Sequence, residues 1–288
     1  MHYPGLIMHQ FQALLRSMGM GRLVILFFCC FINLPVLAQD EAFSVYAERS
    51  TTLVTFYADN QEVFPQSVSL DMNLTGLKSK EGLEEYYVVA AKAQKQKLFE
   101  LVIPRNRAWS YDFRYQYFMG DVLNAFHDDD YVYMFPFEAG ERYRLGQGYN
   151  GRFSHQGENA LDFNMPVGTP IVAARPGKVV RIKEDSDTGC PDRSCARLGN
   201  YITIMHEDGS FSEYYHLQKE GALVELEEQV ERGQVIGNSG NTGWSSGPHL
   251  HFVVFLREMK SRKTLRTRFK TESGAIYAIE ESTYRSVK

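Results

Sequence analysis

The sequence has little net charge, no long uninterrupted apolar run and few helix-forming stretches. Its 31 Lys and Arg residues nearly balance 35 Asp and Glu residues, and a formal charge of −4 argues against a general nucleic-acid binder. The main apolar stretch, Leu23 to Leu37, contains Asn33 and Pro35 and is shorter than the ~20 residues that a membrane-spanning helix requires. Runs rich in Ala, Leu, Glu and Lys are scarce, which disfavours a helical protein.

Aromatic residues, in contrast, are abundant. The chain has 17 Tyr and 19 Phe, and its 44% hydrophobic residues are enough for packed cores. Aromatic side chains favour strands over helices. Because 288 residues allow two domains, we predict an all-β chain of two domains.

The N-terminal segment has the composition of a secretory signal peptide. Arg16 and Arg22 precede the apolar stretch, and Ala38 is a small residue at the expected cleavage point. We therefore predict a signal peptide over residues 1–38 and an exported protein, periplasmic or extracellular, with no membrane span after cleavage. An uncleaved anchor is the alternative interpretation.

Cysteine is also rare, with 4 residues in two pairs. Cys29 and Cys30 lie in the apolar stretch and would leave with the signal peptide. Cys190 and Cys195 lie in a polar segment, where an oxidising compartment favours a disulfide. A zinc site is the rival interpretation, but two thiols without nearby histidines make a poor zinc cage.

Short alternating segments, typical of strands, recur over the first half of the chain. They lie at residues 53–57, 67–70, 86–90, 97–103, 111–117 and 131–137. Strands at this spacing predict a β-sandwich-like domain over residues 39–139. The run His127 to Asp130 could bind a cation, although a solvated acidic loop is the simpler interpretation.

A cluster of glycines near residue 140 is typical of turns and indicates a second domain over residues 140–288. Residues 169–182 and 200–205 alternate like strands, and only residues 221–229 suggest a helical period. Seven basic residues follow between Arg257 and Lys270. They could steer the protein to an anionic cell envelope, although an exposed basic hairpin is the preferred interpretation.

The segment His249-Leu250-His251 is the strongest chemical signal. It begins a run of Phe and Val typical of a strand, so the two imidazoles project from the same face. Histidine is the commonest metal ligand and the commonest acid or base at neutral pH. Two such side chains require further partners, and His155 and Asp162 upstream are the candidates.

Four other motifs precede this strand in a recognisable order. They are SHQGENALDF at 154–163, GTPIVAA at 168–174, YHL at 215–217 and GNSGNTG at 237–243. Together with the His-Leu-His strand they resemble the lysostaphin-type zinc metallopeptidases, a β-sheet family of peptidoglycan endopeptidases. The resemblance covers about residues 140 to 256.

The resemblance implies one zinc ion per chain, bound by His155, Asp162 and His251. It also implies that His216 and His249 are the catalytic residues beside a water in the fourth tetrahedral position, an open site typical of catalysis. The expected reaction is hydrolysis of amide bonds in peptidoglycan cross-links. Which of the two histidines acts as the base stays open.

One motif departs from the family pattern. The family places Asp four residues after the first His, but that position holds Asn159, and Asp162 comes at +7. A small insertion explains this spacing, and Glu158 is the rival carboxylate. His206, in contrast, is expected to support a hairpin turn.

Two other functions compete with the endopeptidase. A catalytically inactive cell-wall-binding or hydrolase-activating module would keep the fold without the reaction. A protease of glycine-rich extracellular proteins would keep the reaction with another substrate. The expected partner is peptidoglycan or a peptide and no nucleic acid; the role of the first domain and the oligomeric state stay open.

Overall fold

The structure is a computed structural model that describes residues 11–13, 42–259 and 261–288. Except for residues 11–13, the predicted signal peptide over residues 1–38 lies outside the described residues. The chain separates into two compact units, with the division between Met119 and Gly120. Among the described residues, no helix is long and apolar enough to cross a membrane.

The first unit is built from strands alone in its described part. Its strands are β1 (Phe11–Ala13), β2 (Phe43–Arg49), β3 (Leu53–Asn60), β4 (Gln66–Thr75), β5 (Lys78–Ser79), β6 (Tyr87–Val89), β7 (Gln96–Val102) and β8 (Ser110–Met119).

These strands form two four-stranded sheets, β2-β3-β7-β5 and β1-β8-β4-β6. Alternate residues of β3 are buried, as expected for a strand with one face against a core. Phe56 of β3 stacks on Phe99 of the same sheet at 4.6 Å and meets Phe113 of the other sheet edge-on at 5.1 Å. Both sheets therefore contribute to one aromatic core, while the sandwich-like assignment of this unit stays a prediction.

The second unit is also almost entirely β. Its elements are β9 (Val132–Tyr133), β10 (Arg142–Gln147), β11 (Ala160–Asn164), β12 (Pro170–Val172), β13 (Gly177–Lys183), β14 (Gly189–Cys190), a 3₁₀ helix (Arg193–Leu198), β15 (Asn200–Met205), β16 (Phe211–Ala222), β17 (Gln229–Val230), β18 (Val235–Ser239), β19 (Gly243–Trp244), β20 (His249–Arg257), β21 (Arg262–Leu265), β22 (Arg268–Thr271), β23 (Gly274–Tyr277) and β24 (Thr283–Arg285). The prediction of an all-β chain is confirmed.

One antiparallel sheet positions the residues of interest. Its main order is β17-β13-β15-β16-β20-β11-β10-β24, and β20 is hydrogen-bonded to β16 on one side and β11 on the other. Residues Leu250 to Phe255 of β20 are buried, which explains the apolar run that follows the second histidine.

The structural division lies upstream of the predicted boundary at residues 139 and 140. Phe135 and Phe137 are fully buried in the core of the second unit, where both contact the ring of Phe163. The backbone N–H of Met134 donates to Ala174 O at 3.0 Å. The segment predicted as the last strand of the first domain therefore packs in the second unit, a long-range contact that local alternation does not reveal. The limits 39–139 and 140–288 stay predictions as domains.

Two local features differ from the sequence pattern. Residues 221–229 form no helix; they contain the end of β16, a turn in which Glu227 has a φ of +72°, and the start of β17. The 3₁₀ helix was also not predicted from the sequence. Its N-cap residue is Asp192, whose carboxylate accepts a hydrogen bond from Ser194 N.

The predicted disulfide between Cys190 and Cys195 is confirmed, and it joins β14 to this 3₁₀ helix.

Candidate metal centre

Two of the predicted ligands lie opposite each other on neighbouring strands. Asp162 of β11 pairs in register with His251 of β20, so both side chains leave the same face of the sheet. Asp162 Oδ1 lies 2.9 Å from His251 Nδ1. The sheet ladder therefore fixes two donor atoms next to each other without any contribution from a loop.

The third predicted ligand comes from the connection between β10 and β11. His155 is 1% exposed, and its Nε2 lies 3.2 Å from both His251 Nδ1 and Asp162 Oδ1. Its other nitrogen, Nδ1, donates to the carbonyl of Gly148 at 3.0 Å. Because that bond holds a proton on Nδ1, Nε2 is the nitrogen that can offer its lone pair to a metal ion.

The three donor atoms have the spacing that a tetrahedral metal requires. They are 2.9, 3.2 and 3.2 Å apart, and zinc with ligands at ~2.0–2.1 Å places neighbouring donors about 3.3 Å apart. Within the described residues, His155, Asp162 and His251 form the one group of His, Cys, Asp and Glu side chains that could hold a metal ion. Two imidazoles and one carboxylate are typical ligands of catalytic zinc and leave a fourth position open.

Electrostatics favour an ionised carboxylate in this cluster. Burial alone would raise the pKa of Asp162, but the hydrogen bonds and charges of His155 and His251 hold that pKa well below its usual range. Burial lowers the pKa of His251. Burial also lowers the pKa of His155, but the hydrogen bond and the attraction to Asp162 outweigh this effect. The net result is a raised pKa for His155.

His216 reaches the same site through an irregularity in β16. The register against β15 shifts between Leu217 and Tyr215, which makes His216 a bulge residue with a φ of +68°. A non-glycine residue in this left-handed conformation costs about 1–3 kcal/mol, and such strain is concentrated at functional sites. The bulge brings the His216 ring to 4.5 Å from the His249 ring and 5.9 Å from the His251 ring.

His216 is only 4% exposed, and burial lowers its pKa to about 3. Its Nδ1 donates to the carbonyl of Thr242 at 2.6 Å, which leaves Nε2 as the nitrogen that could accept a proton. His216 is therefore a neutral, oriented imidazole at neutral pH.

His249 has a similar orientation but a more open position. Its side chain is 14% exposed, and its Nδ1 donates to Gly247 O at 2.8 Å and lies 3.2 Å from Ser245 Oγ. Its Nε2 faces the cluster, 3.8 Å from Asp162 Oδ1. The structure thus brings all five predicted site residues together, and their individual roles stay proposals.

One known protein family matches the part of the chain that contains these motifs. Residues 156–263 match the family model described as Peptidase family M23. This segment is an M23 peptidase domain. It includes Asp162, His216, His249 and His251 and begins one residue after His155, which confirms the resemblance to lysostaphin-type metallopeptidases.

Several curated proteins are similar to the M23 domain of this chain. An uncharacterized metalloprotease of Buchnera aphidicola is 38% identical over 144 residues, which cover 46% of this chain and 34% of that protein. The peptidoglycan DD-endopeptidase ShyA of Vibrio cholerae is 40% identical over 99 residues, which cover 34% of this chain and 20% of that protein. Lysostaphin of Staphylococcus simulans is 37% identical over 118 residues, which cover 38% of this chain and 21% of that protein.

The chain thus spans between a fifth and a third of the length of these relatives. A solved structure of lysostaphin from Staphylococcus simulans overlaps 47% of this chain and 47% of its own, at 32% identity and a TM-score of 0.33. That score is too low to bear on the fold, which rests on the strand order described above.

Glu158, the other candidate for the carboxylate ligand in the M23 domain, forms an ion pair outside the metal cluster. Glu158 lies 3.4 Å from Arg262, and Asn159 donates from Nδ2 to Thr264 O at 2.9 Å. Glu158 and Asn159 therefore both contact residues of β21. This geometry favours Asp162 over Glu158 as the carboxylate ligand.

Other polar residues singled out by the sequence have structural contacts. His206 is buried; its Nδ1 donates to Pro176 O at 2.7 Å, and its backbone N–H donates to Ser210 O across the β15–β16 turn. His127 contacts Asp129 through Nδ1 and the Tyr133 hydroxyl through Nε2. Both histidines have partners outside the M23 metal cluster.

The basic segment is partly engaged in contacts. The guanidinium of Arg266 lies over the rings of Tyr149 and Tyr277, at 5.2 and 4.9 Å, and Arg268 pairs with Asp130 at 2.9 Å. The segment includes β21 and β22, which pair with β20 and β23, and its residues Lys263, Arg266 and Lys270 are exposed.

Gln147 was not predicted as a site residue from the sequence. This side chain donates from Nε2 to Asp162 Oδ2 at 2.8 Å, opposite the oxygen that faces the histidines. No spacing rule points to it, because its orientation depends on a β-bulge. The flanking Gly146 and Gly148 were interpreted only as turn residues near the start of the second domain.

Proposed function

We propose that this protein is a zinc-dependent endopeptidase that hydrolyses amide bonds in the peptide cross-links of peptidoglycan. One observation carries the proposal: His155 Nε2, Asp162 Oδ1 and His251 Nδ1 converge to within 3.2 Å of one another inside an M23 domain. The relatives named peptidoglycan DD-endopeptidase and lysostaphin support this substrate class.

His155, Asp162 and His251 would hold one zinc ion per chain. Zinc in such a site acts as a Lewis acid and makes water a strong nucleophile at neutral pH. The protein's own contribution begins with the fixed donor atoms: the carboxylate is ionised, and the Gly148 carbonyl holds the proton of His155 on the outer nitrogen.

His216 and His249 would perform the proton transfers. Each has its Nδ1 bonded to a backbone carbonyl, so each can accept a proton from the attacking water at Nε2 and return one to the leaving amine. Two such imidazoles can also hydrogen-bond the oxyanion that develops on the scissile carbonyl. His249 is the more exposed of the two and would meet the substrate first.

We also propose export to the periplasm or the extracellular space, where peptidoglycan is accessible. The confirmed disulfide supports this, because such bonds persist in oxidising compartments and are rare in the cytosol. The signal peptide predicted over residues 1–38 is consistent with this proposal.

The test uses the full chain with isolated cell-wall sacculi. We expect one zinc ion per chain by elemental analysis and release of cross-link peptides by mass spectrometry. A chelator should stop the release, and added zinc should restore it, whereas a His155→Ala variant should stay inactive with zinc present. Zinc binding without any hydrolysis of sacculi would support the alternative of a catalytically inactive cell-wall-binding module. Cleavage of glycine-rich proteins alone would support the alternative substrate.

A further inference from the structure

Gln147, the last residue of β10, contacts two separate parts of the proposed metal site. Its Nε2 donates to Asp162 Oδ2 at 2.8 Å and to Ser154 Oγ at 2.9 Å. Its Oε1 accepts from the backbone N–H groups of Phe153 and Ser154, at 2.9 and 3.2 Å. Four hydrogen bonds therefore join one amide to the carboxylate ligand and to the residues just before His155.

The backbone around Gln147 has a specialised conformation. The β10–β11 register shifts between Leu145 and Gln147, and this bulge places Gln147 opposite Asp162. The skipped residue is Gly146, where an added Cβ would lie 2.5 Å from Asn164 Oδ1. A side chain at that position would meet the Asn164 side chain of β11, which would have to move away.

The loop is fitted to the Gln147 side chain in the same way. An added Cβ on Gly151 would lie 2.3 Å from Gln147 Cγ. Glycine at 151 thus allows the loop that carries His155 to pass close over this side chain. The close approach at Gly151 restricts where the Gln147 amide can lie.

The chemistry of the contact fits a role in metal binding. A carboxylate with two free oxygens can rotate or bind a metal in two ways, but the amide N–H ties Oδ2 and leaves Oδ1 for the cluster. The carbonyl end of the same amide satisfies two backbone donors of the loop, which limits the motion of His155. One side chain thereby links the sheet-borne ligand to the loop-borne ligand.

We propose that Gln147 is a positioning residue that sets the geometry of Asp162 and His155 for zinc; this inference rests on the function proposed above. Residues that hydrogen-bond to metal ligands typically change metal affinity by about 10- to 100-fold when they are removed. The competing interpretation is that Gln147 only satisfies the backbone of an exposed loop. In that case its loss would affect stability and leave the affinity for zinc unchanged.

Gln147→Met separates these roles, because it keeps the length of the side chain and removes all four hydrogen bonds. The matched control is Gln234→Met, since Gln234 also donates from its amide, to Glu228 Oε1, and accepts from a backbone N–H, that of Glu231. Gln147→Asn, one methylene shorter, is the second variant and preserves an amide.

Three readouts are measured on full-length protein: zinc affinity by competition with a chromophoric chelator, the visible spectrum with Co²⁺ in place of zinc, and the melting temperature without metal. We expect both Gln147 variants to bind zinc about 10- to 100-fold more weakly and to show an altered Co²⁺ spectrum. The control should match the wild type in affinity and spectrum.

The outcomes are distinguishable. Wild-type protein that binds no zinc would contradict the proposed function itself. Wild-type protein that binds zinc, with Gln147 variants of equal affinity and spectrum, would overturn this inference alone. Gln147 variants that do not fold without metal, or an equal loss of affinity in the Gln234 control, would assign Gln147 a purely structural role and also overturn it.

Discussion

Asp162 Oδ1 and His251 Nδ1 lie 2.9 Å apart because their residues face each other across the β11–β20 ladder. His249, two residues before His251, projects from the same face, and its Nε2 is 3.8 Å from the same oxygen. The His-Leu-His strand therefore supplies one group in contact with the cluster and a second beside it. This relationship leads to different expectations for the two histidines.

His251→Ala should abolish both zinc retention and hydrolysis, because it removes a donor atom from the cluster. His249→Ala should retain zinc and lose about 10²- to 10⁴-fold in turnover, the range for removal of a general acid or base. Elemental analysis and a sacculus-release assay on both variants check this. Loss of zinc in His249→Ala with retention in His251→Ala would invert the assignment.

Asp162→Ala should lose zinc, whereas Glu158→Ala should keep it. The reason is that Glu158 is 3.4 Å from Arg262, while Asp162 lies between two imidazoles. Zinc stoichiometry after dialysis measures the difference, and Glu158→Gln is the matched conservative control. A protein that sheds zinc on loss of Glu158 and keeps it on loss of Asp162 would refute the ligand assignment.

His216→Gly should be more stable than His216→Ala by about 1–2 kcal/mol, because only glycine adopts a φ of +68° without strain. Both variants should have little hydrolytic activity and should bind zinc. Urea unfolding of the two zinc-free proteins gives the comparison. Equal stability would show that the bulge relaxes when the imidazole is removed.

Serine at both Cys190 and Cys195 should lower turnover by up to about 100-fold while zinc stays bound. The disulfide loop accepts hydrogen bonds from Ser245 N at Cys190 O and from Trp244 Nε1 at Pro191 O. The segment that contains Trp244 and Ser245 in turn orients the two histidines. Thr242 O accepts from His216 Nδ1, and Gly247 O accepts from His249 Nδ1.

Loss of the cross-link should also cost about 2 kcal/mol of stability for so short a loop. Steady-state kinetics and zinc analysis of the double-serine variant test the prediction. Full turnover in that variant would show that the loop is not needed to orient the histidines.

The zinc-free protein should lose stability as the pH falls from about 6.5 to about 4. Burial lowers the pKa of His206 to about 4, so in this window the unfolded chain binds a proton that the folded chain does not. The contribution of His206 is about 3 kcal/mol, and His216, with its pKa of about 3, acts in the same direction. His206→Asn keeps a donor toward Pro176 O and should show a smaller pH slope in urea unfolding. Equal slopes would assign the pH dependence to other groups.

The parts of this protein that follow local patterns could be predicted from the sequence. The strand at 200–205 agrees with β15, and the two histidines of β20 share a face because strand alternation requires it. The His155 and Asp162 pair was found through its place in an ordered set of motifs, despite an insertion that shifts the usual spacing.

Features that depend on irregular backbone or distant packing could not be predicted. The bulges at Gly146 and His216 are shifts in the register between two paired strands, which the residue pattern of either strand alone does not fix. The burial of Phe135 depends on Phe163 and Phe269, which follow it by many residues. Alternation within a single segment carries no information about such partners.

The origin of the three donor atoms has a consequence for how an ion enters and leaves. Two of them belong to one directly paired position on the neighbouring strands β11 and β20, and the third, His155, belongs to a connecting segment. The pairing of the two strands does not depend on the ion, so Asp162 and His251 stay opposite each other when it leaves. Zinc should therefore be removed and bound again reversibly while the protein stays folded, in contrast to small domains that unfold when their metal is removed.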